Sequence, residues 1–153
     1  MAIPTAVVPV SEIFELRRSV LRAGLPAETA VFPEDSDPDV FHIAAYDGSG
    51  ALRACGTFFP DPLPEAAAPG GRTPAYRFRG LASDPEVRGQ GYGQAVLAAG
   101  LAEIGARDVR HVWCNGRTPA TGFYQRQGFT RLGEEFVLDP GGAHYVFVRE
   151  LTD

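Results

Sequence analysis

Residues 83–93 read Ser-Asp-Pro-Glu-Val-Arg-Gly-Gln-Gly-Tyr-Gly and join a strand-like run, Tyr76–Ala82, to a helix-like run, Gln94–Ala106. A strand, a glycine-rich turn and a helix in that order constrain the chain to a fold mixing α and β, with a turn that presents backbone rather than side chains. Glycine lets the main chain approach an anion closely. The first turn of a helix has N–H groups without internal partners, and these attract phosphate together with the positive end of the helix dipole.

The spacing narrows the ligand. A dinucleotide fold asks for Gly-x-Gly-x-x-Gly, and a P-loop for Gly-x-x-x-x-Gly-Lys-Ser/Thr. Here glycines stand at 89, 91 and 93, and no Lys-Ser or Lys-Thr follows. Arg88-Gly89-Gln90-Gly91-Tyr92-Gly93 fits Arg/Gln-x-x-Gly-x-Gly/Ala instead. With the preceding Leu81-Ala82-Ser83-Asp84-Pro85 it resembles the pyrophosphate loop of the GNAT N-acetyltransferases. A second segment, residues 113–129, follows in family order. Its Ala120-x-x-x-Tyr124-x-x-x-Gly128-Phe129 resembles the downstream signature of that family, whose tyrosine lies near the thioester sulfur. Thr118 suits a helix N-cap, Pro119 the first helical position and Gly128 the C-terminus, so a short helix is expected over Ala120–Gln127. The likeness covers about residues 40–150. It departs at Arg117, where the family often has asparagine. The nearest asparagine, Asn115, either takes the pantetheine contact from a shifted position or only closes its strand.

The resemblance implies a fold class of α/β (α+β) type: a mixed, mostly antiparallel central sheet, splayed in a V between the fourth and fifth strands, with helices on both faces. It implies acetyl-CoA as co-substrate, held by Leu81, Ala82 and Ser83 at the strand end, by Arg88, Gly89, Gln90, Gly91, Tyr92, Gly93 and Gln94 in the turn, and by Asn115 and Tyr124. A bulge in the strand before the turn is part of the family's design. The reaction so implied moves an acetyl group to a primary amine by direct attack on the thioester. A lysine-like amine has a pKa near 10.4, so its free base at pH 7 costs roughly 4.6 kcal/mol. A phenol near pKa 10 meeting a thiolate near 8.5 favours hydrogen bonding over complete proton transfer, by about 2 kcal/mol. Tyr124 takes that place; packing beside Phe123 and Phe129 is its other reading.

The base is less defined. The family often places a Glu in the fourth strand, but here that strand shows Arg77 and Arg79. Candidates are His42, Glu134, Glu135 and His144, with His144 preferred as the relay. An unperturbed imidazole titrates near 6.5 and is mostly neutral at physiological pH. Glu134-Glu135-Phe136 followed by Gly142-x-His144 resembles an ElaA-like branch of the family. A non-catalytic acyl-CoA-binding or sensing protein is the competing reading.

At 153 residues the chain reads as one domain, 1–153, large enough to bury a core. A net charge of −5 argues against nucleic acid as a partner, since phosphate backbones call for a basic face. The acceptor stays open between a small-molecule amine and an amine of a peptide or protein, and a homodimer stays open too. Cys55 and Cys114 read as small buried thiols. The three histidines share no ligand spacing, so no metal is expected. No run of about 18 apolar residues spans a membrane, and Met1–Val10 is not a signal peptide. A cytoplasmic location follows.

Along the chain, Ala6–Val10 reads as a strand, and Ser11 as the cap of a helix to about Ala23 with an Ile13, Leu16, Val20 stripe. Thr29–Asp39 falls where the family has its second helix, near the acceptor side. Phe41–Tyr46 and Leu52–Phe59 read as a hairpin through Asp47–Gly50. Pro60–Pro74, with five prolines, reads as a long irregular surface loop. Val109–Cys114, Thr130–Leu138 and His144–Leu151 read as the last strands, the final pair turning through Asp139-Pro140-Gly141-Gly142.

Overall fold

The computed structural model describes residues 2–70, 72–139 and 141–152. Pro140, within the last expected turn, and Gly71, within the proline-rich segment, lie outside the described residues. The strands are β1 (Thr5–Val8), β2 (Phe41–Tyr46), β3 (Leu52–Pro60), β4 (Tyr76–Ser83), β5 (His111–Arg117), β6 (Thr130–Leu138) and β7 (Gly142–Glu150). The helices are α1 (Val10–Leu21), α2 (Tyr92–Ala106) and α3 (Thr121–Arg126). The sheet is mixed and seven-stranded, in the order β1-β2-β3-β4-β5-β7-β6.

Residues up to 59 and 78–103 form one compact unit. In it β1 pairs with β2 and β2 with β3, both antiparallel. Asp47 closes the β2–β3 hairpin, its N–H donating to Ala51 O at 2.9 Å. Side chains alternate across a strand, and β3 uses both faces. Cys55 joins Ile13 of α1, Ala44 and Ala82 in a buried cluster, with Leu16 and Val20 packed against it. Gly56 and Phe58 face the other way: a Cβ on Gly56 would stand 3.0 Å from Val96 of α2, and one on Gly100 of α2 would stand 2.2 Å from the Phe58 ring. Helices α1 and α2 therefore cover opposite faces of this strand.

Two local expectations change. Ser11 is not the cap of α1; Pro9 holds that position in extended backbone without a side-chain bond. The segment 29–39 is no α-helix. It makes 3-10 turns at Ala27–Ala30 and Pro33–Ser36, because proline lacks the N–H that a longer helix needs.

Residues 60–77 and 104 onward form the second unit. The β4–β5 ladder is parallel and registers Tyr76 with Val112 and Arg77 with Trp113. β5 pairs with β7 and β7 with β6, both antiparallel. The proline-rich segment is more ordered than its composition implies: Asp61 and Leu63 N–H donate to Ala75 and Thr73 O at 3.0 and 3.1 Å, extending the strand pairing. Trp113 Nε1 donates to Asp61 O at 3.0 Å. Thr118 opens a 3-10 turn and its side chain does not cap α3; Ala120 stands at the cap. Gly128 ends α3 at φ +87°, a conformation that favours glycine.

Candidate active site

The glycine turn belongs to the first unit and is fixed at its base. The Asp84 carboxylate accepts from Glu86 N–H at 2.9 Å, and Asp84 N–H donates to Arg53 O at 2.8 Å. Arg53 gathers the surrounding acids, with Nε 2.7 Å from Asp47 and NH1 2.9 Å from Asp84 and 3.4 Å from Glu86. Bonds from Ser49, Arg53 and Ala51 hold the Asp47 carboxyl well below the usual carboxylate range. Arg53 escaped the sequence reading, since an arginine on a strand carries no motif.

Beyond that base the turn is open. Gly89 and Gly91 adopt φ of +81° and +91°. A Cβ on Gly89 would meet nothing within 4 Å, and one on Gly91 only Ile3 at 3.8 Å. Their glycine identity answers to backbone shape and leaves free space before the N-terminus of α2, as a phosphate cradle requires. Gly93 answers to packing, since its Cβ would stand 3.2 Å from Ser83 Oγ and crowd the end of β4 against the start of α2. Arg88, Gln90 and Gln94 are exposed, and Tyr92 is half-buried. Leu81, Ala82 and Ser83 close β4 directly after Gly80, whose φ of +68° inside a strand marks a bulge. The turn and the strand end thus fit the diphosphate and amide groups of an acyl-CoA.

The remaining expected residues belong to the second unit. Tyr124 is buried, its ring 4.8 Å from that of Phe147, 5.3 Å from Phe123 and 6.1 Å from Phe129. Its hydroxyl hydrogen-bonds the Cys114 thiol, and burial raises the pKa of both groups. The phenol therefore keeps its proton, with the Cys114 thiol as its polar neighbour. Gly116 makes room for this: a Cβ there would stand 2.5 Å from the Tyr124 ring. Asn115 lies inside β5, registered with Val146, so it does not close the strand.

His144 is buried on β7, stacked on Phe136 at 6.1 Å. Its Nδ1 lies 2.7 Å from Gly142 O. A carbonyl only accepts, so Nδ1 carries a proton, and in the neutral ring the acceptor is Nε2. Glu134 and Glu135 are exposed. His42, in the first unit, is built into a buried network: Nδ1 lies 2.8 Å from Thr57 Oγ1, and Nε2 4.0 Å from Asp35. Among the described residues no group of three His, Cys, Asp or Glu is placed to hold a metal.

The sequence pattern of the acetyltransferase (GNAT) family matches residues 10–129. The chain belongs to that family. YitI of Bacillus subtilis strain 168, described as an uncharacterized N-acetyltransferase, is 30% identical over 145 residues, 94% of this chain and 93% of YitI. Among solved structures, Escherichia coli ElaA superposes with a TM-score of 0.76 at 18% identity, covering 97% of this chain and 99% of ElaA. An acyl-CoA N-acyltransferase from Pseudomonas aeruginosa gives 0.71 at 18% identity over 97% and 99%. These structures share the fold of this GNAT protein. It is an acyltransferase, and acyl-CoA is the co-substrate of its family.

Proposed function

We propose that this GNAT protein transfers an acetyl group from acetyl-CoA to a primary amine by direct attack on the thioester. The observation that carries the reading is the pair of left-handed glycines, 89 and 91, with open space at both Cβ positions before α2. When bound, acetyl-CoA supplies the activated acyl group. The N–H groups of residues 89 and 91–94 hold the diphosphate, while that of Gln90 donates within the turn to Val87 O at 3.2 Å. Leu81–Ser83, displaced by the Gly80 bulge, offer backbone groups to the pantetheine amides. Asn115 contributes a side-chain amide. Tyr124 donates its hydroxyl proton toward the leaving sulfur, trading the Cys114 thiol for a more anionic partner. Nε2 of His144 accepts the amine proton.

Gly91→Glu tests the reading by placing bulk and negative charge in the cradle, at a φ that a side chain rarely adopts. Coenzyme A titrated into the variant is expected to show no binding, with circular dichroism unchanged because residue 91 is exposed. Wild-type affinity in that variant removes the basis of the assignment.

A further inference from the structure

Three guanidiniums surround one phenyl ring in the first unit. The Cζ atoms of Arg17 and Arg79 each lie 3.9 Å from the Phe32 centroid, and that of Arg22 lies 5.9 Å away. Two of these cations have acids. Arg17 grips Asp35 bidentately at 2.7 and 3.0 Å, and Arg79 reaches Glu34 at 3.0 Å. Arg22 has no acid among the described residues. Its Nε donates to Thr29 O and its NH1 to Leu21 O, both at 3.1 Å. Partial burial lowers its pKa, and repulsion from Arg79 and Arg17 adds to the effect. Arg17 holds a second unspent donor: its Nε is buried without a partner among the described residues, 3.7 Å from where a Cβ on Gly80 would stand.

A purely structural network would match its charges. The C-terminal end of α1 rewards a cation, but Arg18 already occupies its last turn. What remains among direct contacts is three guanidiniums on two carboxylates, half-open to solvent at Arg22 and Arg79. A guanidinium fork matches a carboxylate in shape and charge. The cluster also has a place along the chain that matters. Arg79 and Gly80 directly precede Leu81–Ser83, the strand end given above to the cofactor. Two residues span at most about 7 Å, and the bulge at Gly80 shortens that, a length that a short aliphatic spacer covers.

We propose that Arg22 and Arg79, backed by Arg17, bind a carboxylate of the acceptor. The substrate class is then an amino-acid-like amine, a primary amine joined by a short spacer to a carboxylate. This inference rests on the acetyl-transfer reading. Its test compares δ-aminovalerate with its uncharged amide, δ-aminovaleramide, as acceptors for the wild type and for Arg22→Gln. The wild type is expected to favour the acid by at least about tenfold in kcat/KM, the effect of one charge-assisted bond. In Arg22→Gln that ratio is expected to fall toward one, through KM rather than kcat. A wild-type ratio at or below one, or a ratio kept in the variant, overturns the proposal. Should neither amine be acetylated, glutarate titrated against both proteins decides: absent binding, or equal binding, overturns it as well. Coenzyme A titrated in parallel separates the two readings. Coenzyme A binding without carboxylate discrimination removes the acceptor class alone, and failure to bind coenzyme A removes acetyl transfer too.

Discussion

The hydroxyl of Tyr124 already has one sulfur, that of Cys114, as its partner, and burial makes its proton harder to lose. A weaker acid pays more to protonate a thiolate outright, so its contribution is a hydrogen bond to developing charge. Tyr124→Phe keeps the ring packing and deletes that donor; turnover is expected to fall roughly ten- to a thousand-fold with coenzyme A affinity little changed. Equal turnover returns the residue to packing alone. His42 lends itself to a different measurement. Burial lowers its pKa from the ordinary 6.5, and Arg17 pushes the same way against the pull of Asp35. The folded chain thus resists protonating a group that the unfolded chain protonates readily. Stability is full above 6.5 and declines as the pH falls through that value toward the lower folded one, by at most about 1.4 kcal/mol per pH unit. Urea midpoints taken about one unit above and about one unit below that value are expected to differ in the wild type more than in His42→Asn. Parallel losses in the two proteins would clear His42 of the effect.

At the scale of elements, α2 shows two opposed effects of glycine. Alanine is normally favoured over glycine in a helix by up to about 1 kcal/mol. At Gly100 the new Cβ would stand 2.2 Å from Phe58, and overpacking of that kind costs about 1–3 kcal/mol or more. At Gly105 nothing lies within 4 Å. Gly100→Ala is therefore expected to lower the urea midpoint and Gly105→Ala to hold or raise it; the same sign for both would show that helix propensity decides. The elements themselves were largely legible. Phe41–Tyr46 and Thr130–Leu138 were readable to the residue because turn chemistry bounds them, at Asp47–Gly50 and at Asp139–Gly142. The glycine turn was readable because its spacing is a chemical requirement. Arg17 was not. It stands four residues after Ile13 on the apolar stripe of α1, a signal that an arginine is buried, but its partners Asp35 and Thr57 come from distant segments that no local pattern connects. The 3-10 turns of 27–36 were hidden for the opposite reason: the family's helix was expected where Pro33 forbids one.

At the scale of the whole molecule, a ligand that binds only the folded chain stabilises it by mass action. Coenzyme A at about a hundred times its Kd is expected to add about 2.7 kcal/mol, several degrees in Tm, and Gly91→Glu is expected to show no shift. A thermal scan of the two proteins checks this, and equal shifts would place the binding elsewhere. The two thiols add a means of following the chain as it opens. Cys55 is wholly enclosed in one compact unit and Cys114 in the other, and burial lifts the Cys55 thiol to about 12 and Cys114 higher still. Neither can form the thiolate that alkylating reagents attack while its unit stays closed. Each half of the protein thus carries its own native clock, and the rate at which a reagent marks each cysteine reads how often that half comes apart.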